Sequence, residues 1–160
     1  MSLSETPLEI VFQDDDLVAI NKPSGLLVHR TAIDRHETRF ALQLLRDQLG
    51  RRVYPIHRLD KPTSGLLLFG LSSETAAVVA RQFEQRLVDK RYLAVVRGFC
   101  PDQGIVDHAL RDKPDGAERG SANERPARDA QTRFERLATA ELPYAVDRYP
   151  SSRYSLVLLQ

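Results

Sequence analysis

Residues 57–71 read HRLDKPTSGLLLFGL. From Gly65 to Leu71 the run is continuously apolar, so it is expected to form a central strand covered on both faces. The preceding half is a loop that feeds this strand. Pro62 cannot continue a helix and biases Lys61 toward an extended conformation. In an extended segment Arg58 and Asp60, two apart, project to the same side. A carboxylate flanked by His57, Arg58 and Lys61 is expected to stay ionised, because nearby cations favour its charged form. Such a group can act as a nucleophile or stabilise an oxocarbenium-like sugar centre. The same spacing suits, more commonly, an aspartate that caps a turn, with the arginine as its ion-pair partner. Spacing alone leaves both readings open.

Upstream, EIVFQDDDLVAINKPSG (9–25) predicts two short strands, Ile10 to Phe12 and Leu17 to Asn21, around the acidic turn Asp14-Asp15-Asp16. Lys22-Pro23-Ser24-Gly25 stops the second strand, since proline lacks a ladder donor and glycine permits a sharp bend. Residues 37–49 predict a helix with Phe40, Ala41, Leu44, Leu45 and Leu49 on its buried stripe and Gly50 at its end. VYPIH (53–57) predicts a short strand. Downstream, Ser72 is the expected N-cap of a second helix, with Glu74 near its positive end. Ala76, Val79, Ala80, Phe83 and Leu87 fall on one face of that helix. KRYLAVVRG (90–98) alternates, with Tyr92, Ala94 and Val96 on one side and Arg91, Leu93, Val95 and Arg97 on the other. Residues 111–128 contain almost no bulky apolar side chain and are expected to form a mobile loop. AQTRFERLATA (130–140) and SRYSLVLLQ (152–160) add two strands. The fold class expected is α+β, a largely antiparallel mixed sheet with flanking helices. The 160 residues suit one domain with one hydrophobic core.

The chain is 42% hydrophobic and 28% charged, as soluble globular proteins are. A single cysteine, Cys100, excludes an intramolecular disulfide and a Cys-based zinc site, and fits a reducing, cytoplasmic setting. The N-terminus does not read as a signal peptide, and no apolar run approaches the roughly 18 residues that span a bilayer. His29, His36, His57 and His108 show no metal-ligand spacing, so no metal is expected. Phosphate-cradling glycine loops and a GxSxG elbow do not occur. Net charge is only +1, yet residues 29–65 carry eight bases (Arg30, Arg35, Arg39, Arg46, Arg51, Arg52, Arg58 and Lys61) against four acids. A neutral whole with basic stretches around one loop suits a polyanion met at one face. Solvated helix faces would give the same counts.

HRLDKPTSGLLLFG resembles the H-R-L-D-x-x-T-S-G-[LV]-L signature of the RluA-type pseudouridine synthases. NKPSGLLVH (21–29) is similar to that family's K-P-x-G-x-x-V-H segment, and KRYLAVVRG to its K-x-Y-x-A-x-V-x-G strand. The segments 29–35, 62–85 and 148–157 resemble a tRNA-acting branch of the family, which carries no S4-like RNA-binding domain. The resemblance implies the pseudouridine synthase catalytic fold and an isomerase acting on RNA, here on a tRNA uridine in the stem joining the acceptor and T arms. An rRNA target is the alternative. It makes Asp60 the catalytic aspartate. Arg58 would fill the space that the flipped uridine leaves. Tyr92 would lie against the uracil and serve in removing the C5 proton. His57, Lys61, Thr63, Arg30, Lys22 and Arg91 would contact the RNA. Isomerisation is redox-neutral, so no cofactor is implied. The expected partner is tRNA, with no membrane and with the chain a monomer.

Two departures bear on this. Leu158 and Pro62 stand where relatives commonly carry acidic residues, and SLVLLQ matches only the first half of the family's L-x-[EL]-x-P-x-T-G-R-x-H-Q-[IL]-R strand. A C-terminally truncated synthase is therefore expected, lacking the basic partner of Asp60, with its last strand an unpaired edge, marginally stable and nearly inactive. The rival readings are an RNA-binding fragment without catalysis and an unrelated aspartate-dependent hydrolase.

Overall fold

A computed structural model describes residues 7–30, 38–110 and 127–160. Eight strands and two helices are assigned there: β1 (Glu9–Gln13), β2 (Leu17–Lys22), α1 (Ala41–Leu49), β3 (Tyr54–Pro55), β4 (Gly65–Gly70), α2 (Ser73–Glu84), β5 (Tyr92–Arg97), β6 (Gln103–Asp107), β7 (Gln131–Leu142) and β8 (Ser152–Leu159). The fold is α+β with two antiparallel sheets, and the chain divides into two compact units, Met1–Val88 and Asp89–Gln160.

The first unit holds the sheet β1-β2-β4-β3. Asp14 sets the β1–β2 turn, its carboxylate accepting from the Asp16 and Leu17 amides at 2.9 and 2.7 Å. Register pairs Val18 with Phe69, Ile20 with Leu67 and Lys22 with Gly65. The first four side chains are fully buried and pack with Ala41 and Leu45 of α1, and with Val53, Leu59 and Leu71. Each such burial contributes roughly 1.5–3 kcal/mol.

The strand expected to be covered on both faces is covered on both for most of its length. β4 is interior in the sheet: Leu67 and Phe69 are sealed on one face, while on the other Gly70 is buried against Ala76 and Leu68 is half-buried beside buried Ala19, leaving only Leu66 of the strand exposed, at 58%.

α1 begins at Ala41, later than expected, with Phe40 as an extended N-cap that makes no side-chain cap bond; Glu37 lies outside the described residues. It ends at Gly50, whose φ of 64° is the left-handed cap that glycine tolerates. α2 starts as expected: Ser72 Oγ accepts from the Thr75 amide at 3.0 Å. Glu74 in the first turn is held below the usual carboxylate range, chiefly by its own backbone N–H and then by the Ser73 hydroxyl. The apolar stripe runs from Ala76 to Phe83. Leu87 does not extend it, because the helix stops at Glu84 and that side chain is exposed.

The second unit is the sheet β5-β8-β7-β6. β6 is an element that sequence patterning missed, since QGIVD is short and opens on glutamine and glycine. β8, expected as an unpaired edge, is an inner strand: Leu156 faces Val95 on one side and Ala138 on the other. The sheet's edges are β5 and β6. Val157 and Ser155 are buried, and Ser155 Oγ donates to the Gly98 carbonyl at 2.8 Å and accepts from the Cys100 amide at 3.1 Å. Of the stretch expected to be a loop, 111–126 lies outside the described residues, while Arg128 pairs with Leu110.

Candidate active site

β2 and β4 run antiparallel, so the loop leaving β2 and the loop entering β4 emerge at the same end of their sheet. These are the KPSG loop and the HRLDKPTS loop. They are joined directly. The Gly25 amide donates to the Lys61 carbonyl at 2.8 Å, and Ser24 Oγ to the Pro62 carbonyl at 2.7 Å. Gly25 makes its contact from a φ of 85°, a conformation that other residues adopt at a cost. Thr63 N–H closes a turn on the Asp60 carbonyl at 3.0 Å.

Within this turn side chains alternate. Leu59 is buried in the core, whereas Arg58 and Asp60 point outward. Arg58 Nη2 lies 3.6 Å from Asp60 Oδ1, the two side chains being 67% and 75% exposed. So Asp60 has both features that its spacing allowed: its backbone is in a turn and its carboxylate meets an arginine. Leu27, Leu59, His29, Arg58, Asp60 and Lys61 line a small cavity here.

His29 closes the NKPSGLLVH segment but has no role in the expected site. Its Nδ1 is buried without a hydrogen-bond partner beside the Asp60 cavity. Its place at the end of KPSGLLVH was the available signal.

The remaining expected residues separate into outward and inward groups. Arg30 is exposed, and Lys61 and Thr63 are half-buried in or beside the turn. His57 faces inward: its Nε2 accepts from the Leu68 amide at 3.2 Å and its ring stacks on Phe83 at 4.7 Å. Lys22 departs furthest from expectation. Expected to contact RNA, it is fully buried, and its Nζ donates to the carbonyls of Pro23 (3.0 Å), Leu26 (2.8 Å) and Lys61 (3.3 Å). Burial pushes this ammonium below its ordinary pKa, and the Asp60 carboxylate opposes that shift. Patterning missed this because Lys22 continues the buried face of Val18 and Ile20, where lysine is rare.

In the second unit, Arg91 and Tyr92 stand at the start of β5. Tyr92 is 38% exposed and shares a sheet face with Ala94, Val96, Ser155 and Val157. A larger groove of about 590 Å³ lies on this unit, lined by Ile105, Arg133, Glu135, Leu158 and others. It includes neither Asp60 nor Tyr92, so its size does not make it the site.

Residues 16–160 match the pattern of the family described as RNA pseudouridylate synthase. The chain belongs to that family. RNA pseudouridylate synthases among its relatives include the tRNA pseudouridine synthase C of Pasteurella multocida (52% identical over 95% of this chain and 63% of the relative) and that of Haemophilus influenzae (52%, over 95% and 64%). The chain thus spans a little under two thirds of the length of these curated relatives. Among solved structures, human RNA Pseudouridylate Synthase Domain Containing 1 superimposes with a TM-score of 0.70 at 26% identity, covering 95% of this chain and 58% of its own. Human RNA Pseudouridylate Synthase Domain Containing 4 gives 0.64 at 28% identity, over 95% and 58%. Among the described residues, no helix is long and apolar enough to cross a membrane.

Proposed function

We propose that this chain carries the catalytic carboxylate of an isomerase that converts uridine to pseudouridine in tRNA. The observation that carries the reading is Asp60: an exposed carboxylate beside Arg58, on a turn tied to the KPSG loop, in a chain of the pseudouridylate synthase family. The tRNA target rests on the names of relatives about half identical to it.

The reaction breaks the N1–C1′ bond, turns the uracil and joins C5 to C1′. C5 gives up a proton and N1 takes one up, so no electrons are gained or lost. Asp60 is close to the sugar in this scheme and either attacks C1′ or takes the C2′ proton. Arg58 enters the gap that the flipped base leaves, since a stacked base cannot be reached in place. Tyr92 lies against the uracil and serves in the C5 proton loss. Arg30, Lys61, Thr63 and Arg91 meet the RNA, with the cations on its backbone, which makes binding fall with salt. His57 supports the turn from beneath. Both compact units are parts of one catalytic domain, acting as a monomer in the cytoplasm.

Tritium release from C5-labelled uridine in tRNA tests the reading. Release with pseudouridine in the digested product would support it and overturn the expectation of near inactivity. Salt-sensitive tRNA retention without release would assign binding alone, and neither would remove RNA from the reading.

A further inference from the structure

We propose that Lys22 is a positioning residue for Asp60, its ammonium closing on three backbone carbonyls to fix the turn that aims the carboxylate. The proposal rests on the pseudouridylation reading above. A protonated lysine has three N–H donors and no acceptor. Lys22 has three carbonyl partners, so its donors are matched. Two of them, Pro23 and Leu26, belong to the loop leaving β2, and the third, Lys61, directly follows Asp60. The Lys61 carbonyl is held a second time by the Gly25 amide, and the Asp60 carbonyl by the Thr63 amide. Buried Leu59 anchors the other side. The backbone around Asp60 is therefore pinned before and after the residue, while its side chain stays open to solvent.

An apolar side chain would serve a purely structural role more simply here. Lys22 continues the buried face of Val18 and Ile20, and burying a charge is unfavourable unless its donors are satisfied. A lysine placed to hold phosphate would need an exposed ammonium. What this geometry provides is a cation whose donors all end on the loops of the candidate site, with Asp60 near enough to feel its charge.

The test is Lys22→Met in the full chain, with amide hydrogen exchange and tRNA kinetics read together. Exchange at Gly25 and Thr63 is expected to accelerate about tenfold or more, while Leu67 and Phe69 in β4 keep their protection. Turnover should fall about tenfold or more with KM for tRNA within about twofold, the mark of a group acting on the chemical step. Unchanged exchange at both amides overturns the proposal. So does weakened tRNA binding with a shallower salt dependence, which would make Lys22 a phosphate ligand. Should the methionine variant not fold, Lys22→Gln, which keeps two donors, is read in the same way. Unfolding of both overturns positioning in favour of a purely structural lysine. A wild-type chain that neither binds nor modifies tRNA sinks the pseudouridylation reading, while the exchange measurement still decides whether Lys22 fixes the turn.

Discussion

The Arg58 guanidinium stands 3.6 Å from the Asp60 carboxylate, and Leu59 between them is buried. One apolar anchor thus turns both charged neighbours outward on the same side. Asp60→Asn keeps the shape and removes the charge. It is expected to abolish pseudouridine formation while shifting stability by no more than about 0.5 kcal/mol, as exposed substitutions do. Tritium release and urea unfolding measure the two effects. Retained turnover would remove Asp60 from the mechanism.

Arg58→Ala separates pairing from function. An ion pair this exposed contributes about 0–1 kcal/mol and is screened by salt. The melting temperature should therefore hardly move. Turnover should fall by about tenfold or more, because the side chain is assigned to the space behind the flipped base. Equal losses of stability and turnover would mark Arg58 as a fold residue only.

Gly70 of β4 lies against the first turn of α2. A Cβ there would meet the Ala76 amide nitrogen at 2.8 Å and the Ala76 Cβ at 2.9 Å. Backbone cannot swing aside as a flexible side chain can. Gly70→Ala is expected to cost about 1–3 kcal/mol, measured by chemical denaturation. Gly50→Ala meets no neighbour, but its φ of 64° makes it strained as well.

The β7–β8 hairpin predicts an acid-side effect. The Ser151 hydroxyl donates to the Glu141 carboxylate, and Arg153 Nε does so at 3.1 Å. The Ser151 hydrogen bond first, and Arg153 second, hold Glu141 below the ordinary carboxylate range. A depressed folded-state pKa means that the unfolded chain binds more protons in the window below about pH 4.3. The contribution is full above that pH and is lost as the pH falls through the folded value. Carboxyl NMR should show Glu141 titrating low, and Ser151→Ala should move its midpoint up. An unchanged midpoint in that variant would refute the assignment to Ser151.

Local signals carried most of the fold. The Ser72 cap, the Gly50 stop and the Asp14 turn are fixed by neighbours in the chain, so sequence alone located them. Burial was less legible, because it depends on partners distant in sequence. Leu66 and Leu67 read alike, yet one is exposed and the other sealed. Lys22 read as a surface cation, yet register puts it in line with Val18 and Ile20. Asp60 was ambiguous by spacing, and the docking of the KPSG loop on its turn becomes visible only in the fold.

Among the described residues β5 has one ladder partner, β8: Tyr92 pairs with Leu159 and Arg97 with Tyr154. During synthesis, then, residues 92–97 leave the ribosome well before the strand that will hold them. The β6–β7 hairpin can close meanwhile, since its two strands are consecutive. Tyr92 acquires its place in the sheet only when β8 pairs with it, so a ribosome stalled before residue 152 would present β5 without that ladder.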